Sequence, residues 1–317
     1  VASPTAADWA NTWSCAILRT CAGALVALNV TKGATNSPTM VKTSSIPQAG
    51  SIPVSWDQTQ PNTLAVENTL ADLQGPITDG CGLGNDLIIY GFKQAYHMYP
   101  NGQSSVYTWD PLPFQKGSIN ANCSVELDGM NIVFGPDDIW KHDANTSKSI
   151  CDQKTRDYIF GSLNLSKANS CFVSHNPKLK EMTFAYVSGD PLISFNGGNG
   201  CNRQAVWNYS DDTWTYDDLP LVFAATQGNL SNPVTFASIS SSYDSFGGSY
   251  QDQEDGYKRT TVYVGETNAT YGLTNRLYAF DNFGQGSTVA FPVDTAATKP
   301  RYLERDGVDL DDLNVDL

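Results

Sequence analysis

The 317-residue sequence predicts an all-β fold of propeller-like blades with additional small β segments and little helix. Three observations lead there. Charged residues make up only 16% of the chain, against roughly a quarter in ordinary soluble domains. In their place stand Ser, Thr, Asn and Gly with 15 Tyr, 13 Phe and 7 Trp, a mixture that suits short strands and turns and starves exposed helices of Lys and Glu. The second observation is the stretch 125–143, VELDGMNIVFGPDDIWKHD, where apolar bursts at 131–134 and 139–140 flank a polar break at 135–138. That is the pattern of a short hairpin. The third is repetition: 25–41, 87–107, 125–143, 172–216 and 262–280 each pair an apolar strand with an aromatic-bearing partner across a turn. Their irregular spacing marks a degenerate repeat. A β-propeller is the architecture this favours, with a two-sheet sandwich as the alternative.

Taken in order, 8–17 fits either a helical turn or an edge strand, and 24–32 (ALVALNVTK) reads as a buried strand ending at Gly33. A short strand begins at 40–42, and a Pro- and Gly-rich crossing follows at 44–62 around Trp56. Residues 64–73 carry Ala, Leu and Glu at helical spacing and stop at Gly75–Pro76, so they are the best helix candidate. Strands are then predicted at 86–92, 95–99, 105–109, 123–127, 131–134 and 139–141, with a hairpin turn at Asn101–Gly102. A short helix over 150–160 and a loop over 164–169 come next. Strands 171–175 and 182–187 pair across Asn176–Pro177, and 204–209 with 213–216 form a hairpin closed by Leu219–Pro220. The polar stretch 226–258 reads as a surface loop, followed by strands 260–265 and 276–281. The domain expectation is an N-terminal β segment over 1–55, a propeller-like core over 56–225, a loop-rich insertion with a further hairpin over 226–290, and the start of a C-terminal segment over 291–317. The acidic last stretch has no cap or turn and is expected to run on into further chain.

Bulk properties narrow the function classes. A net charge of −14 argues against holding nucleic acid through its phosphates, which takes clustered Lys and Arg. No apolar run reaches the roughly 18–20 residues of a membrane span, and 21–30, the most apolar stretch, lacks the basic flank of a signal peptide. Seven widely spaced cysteines without a C-x-x-C, and three scattered histidines, give poor support to a zinc site or a disulfide framework; reduced, partly buried thiols are expected. Seven N-x-S/T triplets, among them Asn29, Asn145, Asn208 and Asn229, are a weak glycosylation signal in so Asn- and Ser-rich a chain.

Several constellations invite a chemical reading. Asp137/Asp138, Asp211/Asp212 and Asp217/Asp218 are acidic pairs of the kind that run glycoside hydrolysis. Each falls in or beside a predicted turn, where Asp serves the backbone, and that is the favoured reading. YSDDTW (209–214) is similar to the Asp-box turns of sialidase-type propellers and to the turn-plus-Trp of kelch blades, where the element is structural. His142 beside Asp143, with Asp137 and Asp138 near, could form a metal nook or a base with its orienting acid. The favoured expectation makes all four turn and rim residues of a blade. GCGLGND (80–86) lacks the Lys and Ser of a phosphate loop and is expected to be a tight turn into Leu87. Trp109, Trp140, Trp207 and Trp214 could stack sugars but fit blade-to-blade core better. No G-x-S-x-G and no Cys beside a His supports a nucleophile. No catalytic, cofactor-binding or metal-ligating residue is assigned, and the expectation is that the chain is not an enzyme.

A resemblance covers more of the chain than any motif. LVALNVTKG (25–33), SIPVSWD (51–57), LADLQGPITDG (70–80), DLIIYGFKQAYHM (86–98), NCSVELDGMNIVFGPDDIWKHD (122–143), KEMTFAYVSG (180–189), AVWNYSDDTWTYDDLP (205–220) and RYLERDGVDLDDL (301–313) occur in that order. This resembles the tail nozzle proteins of short-tailed bacteriophages, the tail tubular protein B type, over roughly 24–225 and again at 300–313. The resemblance implies a β-propeller with added β domains and a non-enzymatic virion component. It also implies a homo-oligomeric ring, of six copies, that continues the channel below a tail adaptor protein and carries or contacts fibres or spikes. Viral DNA would pass through without specific binding, and the protein would be made in the host cytoplasm and reside in the virion tail. Members are usually longer than this chain. Six copies at −14 each carry −84, and an acidic wall repels phosphate within a Debye length of about 8 Å. That argument needs Asp244, Asp252, Glu254 and Asp255, or the acids from Asp306 to Asp312, to face the lumen. Two other classes stay open: a tail-borne or secreted glycan hydrolase, and a non-catalytic carbohydrate-binding propeller.

Overall fold

The structure, a computed structural model, describes residues 9–60, 63–102, 106–193, 195, 197–229, 259–266, 277–279 and 302–304. It is all-β: among the described residues four antiparallel sheets contain the strands, with one short α-helix and one 3₁₀ turn. The chain divides into two compact units, Val1–Val173 and Ser174–Leu317.

The first unit holds three sheets of four strands, each running in chain order from one edge to the other. The first sheet contains β1 (Trp13–Cys21), β2 (Ala24–Lys32), β3 (Thr35–Thr43) and β4 (Glu67–Thr69). Of the stretch 8–17, residues 13–17 belong to the edge strand β1, and the described residues before them form a bend and turn. The turn from β1 to β2 is the two-residue Ala22–Gly23, both at positive φ (47° and 83°), the twist that closes a tight hairpin. The predicted helix over 64–73 is not formed. Leu64 sits at φ 56°, outside the helical region, and the open edge of β3 claims the backbone that follows. Met40 faces Thr69 in the ladder, Thr43 N–H donates to Val66 O, and Leu70 N–H donates to Thr39 O. Ala65, Leu70 and Leu73 are buried as their spacing implied, but as anchors of an edge strand.

The second sheet contains β5 (Ile77–Leu83), β6 (Asp86–Gly91), β7 (Ala95–Pro100) and β8 (Tyr107–Pro111). The tight turn expected over 80–86 shrinks to Gly84–Asn85, because 80–83 already belong to β5. The third sheet contains β9 (Ser124–Leu127), β10 (Met130–Phe134), β11 (Ile139–His142) and β12 (Ser147–Ser149). Its first turn, Asp128–Gly129, again has both φ values positive, and the four-residue break at 135–138 links Phe134 to its ladder partner Ile139 as the sequence implied. Helix α1 (Gln153–Ser162) starts on Asp152, whose carboxylate accepts Thr155 N–H at 2.8 Å. The loop expected over 164–169 is instead a 3₁₀ turn, Leu165–Ser170, capped by Asn164.

Strand β6 explains how the sheets stack. Alternate side chains point to opposite faces. Leu87 and Ile89 join Val26, Leu28 and Val41 of the first sheet in one core cluster, while Ile88 and Tyr90 join Val133 and Trp140 of the third sheet in another. Both faces of β6 are covered, which is why its sequence reads as a continuous apolar run. A third cluster, Trp9, Ala27, Val30 and Trp56, covers the other face of the first sheet.

The second unit is built on one seven-stranded sheet. It contains β13 (Phe172–Asn176, whose first two residues belong to the first unit), β14 (Glu181–Tyr186), β15 (Cys201–Asn208), β16 (Thr213–Asn229), β17 (Arg259–Gly265), β18 (Leu277–Ala279) and β19 (Tyr302–Glu304). The hairpin of β15 and β16 is the predicted one, but Leu219–Pro220 does not close it. β16 runs through the proline, pairing first with β15 and then, beyond a register shift, with β17. The first sheet draws strands from both sides of the 55/56 boundary, and β16 crosses 225/226.

Candidate functional site

The three sheets of the first unit meet at one carboxylate. Asp79 on β5 is fully buried. Its Oδ1 accepts from Arg19 Nη2 of β1 at 2.8 Å and from Gly80 N–H at 2.8 Å. Its Oδ2 accepts from Ser124 Oγ of β9 at 2.6 Å and from Cys123 N–H at 3.1 Å. Arg19 also donates Nε to Gly80 O and Nη2 to Asn122 Oδ1 at 3.1 Å. One acid therefore holds the first strands of three successive sheets, with all its acceptor positions matched to donors. Burial pushes its pKa up, opposed by the Arg19 guanidinium and the Ser124 and Gly80 hydrogen bonds. Gly80 belongs to the same contact: a Cβ there would lie 2.8 Å from Leu28 Cδ1 and 3.3 Å from Arg19 Cγ, so glycine lets β5 approach the first sheet. Between β9 and the β5–β6 turn, Gly84 N–H donates to Glu126 Oε1 at 3.3 Å.

A second buried polar group lies between the second and third sheets. His142 is 1% exposed and stacked on Trp140 with ring centroids 4.8 Å apart, with Phe114 on another side. Ala144 N–H donates to its Nδ1 at 3.1 Å, so the ring proton is on Nε2 and is donated to Tyr90 Oη at 2.7 Å. Asn131 closes the group, its amide 3.0 Å from the same Tyr90 oxygen. Burial holds the His142 pKa down, to about 4, with Asp143 pulling upward and His97 adding to the depression. His142 is thus an interior residue and not a rim residue. Asp143 does not orient it; that carboxylate accepts Asn145 N–H at 3.0 Å and Thr146 N–H at 2.7 Å and shapes the exposed turn.

The acidic pairs are not gathered into one site. Asp137 and Asp138 occupy the β10–β11 turn, and Asp138 is held by Ser149 Oγ at 2.7 Å, Lys116 Nζ at 3.1 Å and Arg156 Nη2 at 3.2 Å. Asp211 and Asp212 form the β15–β16 turn. Asp212, at φ 54°, accepts Trp207 Nε1–H at 2.8 Å, and Trp207 stacks on its cross-strand partner Trp214 at 6.2 Å. The turn of YSDDTW is therefore a Trp–Asp clasp. Asp212→Ala leaves the indole donor without its acceptor and is expected to cost about 1 kcal/mol, measured as a lowered urea midpoint. Asp217 and Asp218 lie inside β16 and not in a turn, and Arg203 Nε reaches Asp218 Oδ1 at 3.5 Å.

Trp140, Trp207 and Trp214 are buried, and Trp109 packs half-buried against the first core cluster. All seven cysteines are free thiols; six are buried and Cys15 is half-buried. Burial pushes Cys21, Cys81 and Cys151 up to about 12, far from the thiolate form at neutral pH. Among the described residues no group of three or more His, Cys, Asp or Glu is arranged to hold a metal ion, and no helix is long and apolar enough to cross a membrane. Asp244, Asp252, Glu254, Asp255 and the acids of 306–312 lie outside the described residues.

Sequence reasoning passed over Arg19 and Asp79. The available signal was two lone opposite charges, each inside a strand of otherwise apolar and small residues, where burial demands a partner. No protein-family model matches the chain, and no curated protein matches it either.

Proposed function

We propose that the chain is a structural subunit of a short-tailed bacteriophage tail, of the nozzle type, assembling as a homo-oligomeric ring around the channel through which the genome is retained and ejected. The observation that carries this reading is that several of the ordered nozzle-like phrases fall on strands and the turns between them. LVALNVTKG covers β2 from its second residue, DLIIYGFKQAYHM covers β6 and most of β7, NCSVELDGMNIVFGPDDIWKHD spans β9 to β11, and AVWNYSDDTWTYDDLP covers the turn of the β15–β16 hairpin with the strand ends beside it. Three successive four-stranded meanders, tied at their first strands by Asp79, are the format of propeller blades, and the propeller is part of the proposal. The charge of −14 supports a wall that DNA slides past without local binding sites. In this reading the adaptor protein and the fibres or spikes are the neighbouring partners, and the carboxylates serve turns and sheet ties.

The test is direct imaging. Class averages of short-tailed virions carrying an affinity label on this chain should show label arranged as a ring at the tail tip. Label absent from purified virions contradicts the proposal.

A further inference from the structure

Three Asn–Gly steps occur in the chain, at 101–102, 196–197 and 199–200. In such a step the glycine nitrogen, with no Cβ beside it, can attack the asparagine side-chain carbonyl. The nitrogen gives up its proton, an N–Cγ bond forms, and the Cγ–Nδ2 bond breaks with release of ammonia. Water then opens the five-membered imide at either carbonyl, leaving aspartate or isoaspartate. One water enters and one ammonia leaves, and no oxidant or reductant takes part. Whether a step runs in the folded chain depends on the glycine nitrogen, which must be able to lose its proton and to move.

The step at 199–200 is closed. Gly200 N–H donates to Glu266 Oε2 at 2.7 Å, and Asn199 N–H donates to the same oxygen at 2.9 Å. Gly200 and Glu266 are both buried. Deprotonating Gly200 would set a second negative charge against that carboxylate. The backbone has no room to shift either, since a Cβ on Gly200 would lie 2.7 Å from the Leu221 carbonyl carbon. Asn196 lies outside the described residues.

The step at 101–102 is open. Asn101 N–H donates to Val106 O at 3.2 Å, just past the end of β7, and Gly102 follows that bond exposed, at φ 66°. Nothing beyond its chain neighbours lies within 4 Å of where its Cβ would stand. The leaving nitrogen, Asn101 Nδ2, donates to the neutral hydroxyl of Thr108 at 3.0 Å. A hydrogen bond to a charged group exceeds a neutral one by enough to separate the two rates about tenfold. We infer that Asn101 is a self-modification site, converting spontaneously to aspartate and isoaspartate. The product loses the donor to Thr108. It also adds a negative charge on the strand face that carries Asp110, where Tyr99 Oη–H is donated at 2.7 Å. The site is independent of the ring reading above.

Peptide mapping by mass spectrometry tests it on the full chain, held at mildly alkaline pH both folded and in urea. The urea sample is the clock: there residues 101 and 199 should convert at similar rates. In the folded sample, by the time the clock has run, residue 101 should be converted and residue 199 should lag it about tenfold or more. Isoelectric focusing of the folded chain should show a growing acidic band that is absent from Asn101→Gln. Glu266→Gln keeps an acceptor for Gly200 but removes the charge, and should speed conversion at 199 without changing it at 101. An amide at 101 that survives in the folded chain after the clock has run overturns the inference. So do equal folded rates at 101 and 199.

Discussion

Replacing Asp79 by Ala is expected to destabilise the first unit by about 3–5 kcal/mol, the range for removing one partner of a buried ion pair. The loss is larger than one salt bridge because four donors converge on that carboxylate: Arg19 Nη2, Gly80 N–H, Cys123 N–H and Ser124 Oγ. Two are backbone groups with no other place to turn, and an unpaired buried donor costs about 1–3 kcal/mol. The distribution of donors makes the conservative change informative. Each carboxylate oxygen accepts one backbone N–H, from Gly80 on one side and Cys123 on the other. In Asp79→Asn, either orientation of the amide sets its NH₂ against a backbone donor. The Asn variant should therefore recover little of the loss, whereas Ser124→Ala, which removes a single donor, should cost about 1 kcal/mol. Urea denaturation followed by Trp fluorescence measures all three. An Asn variant as stable as the wild type would show that the charge at the junction contributes nothing.

The second large effect is a pH dependence carried by His142. Its folded pKa, held down to about 4 by burial, lies below the ordinary value of 6.5. Between those values the unfolded chain takes up a proton that the folded chain does not, so stability is full above pH 6.5 and is lost as the pH falls toward 4. The shift corresponds to roughly 3 kcal/mol at about 1.4 kcal/mol per unit. Charging the ring also places a proton on Nδ1 and expels the Ala144 N–H donated there. The groups facing His142 divide: Asp143 favours the charged form, His97 opposes it, and Tyr90 and Asn131 are neutral. Because 33 carboxylates also respond to acid, the diagnostic is the difference from His142→Gln. The wild type should lose stability between pH 6.5 and 5, and the variant should be nearly flat there. Equal slopes would mean that His142 does not remain neutral in the folded chain.

Much of the fold was legible because its signals are local. Strands β6, β10 and β11 and their turns follow from apolar bursts and from Gly and Asp–Gly at positions that need positive φ. What failed was set by distant partners. Residues 64–73 have helical composition, but the unpaired edge of β3 offered their backbone more hydrogen bonds than a short exposed helix could keep. Pro220 reads as a strand terminator, yet it falls where β16 changes neighbours between β15 and β17, a place where a missing N–H does little harm. The polar sites divide in the same way. Asp143, Asp211 and Asp212 serve turns, as their neighbours in the sequence imply. His142 was misplaced on the rim although period-two alternation sets it on the face of Trp140, inside the sheet stack. The Asp79 junction depends on residues 60 apart and 45 apart in the chain, separations that no local pattern reveals.

The ring is the centre of the functional account, and native mass spectrometry of the purified assembly tests it most directly. The chain weighs 34.4 kDa, so six copies should appear as one species near 206 kDa, six times 34.4. That species should persist at high salt, where screening relieves the repulsion among −14 subunits. A single species at 34.4 kDa under every salt condition would contradict the account.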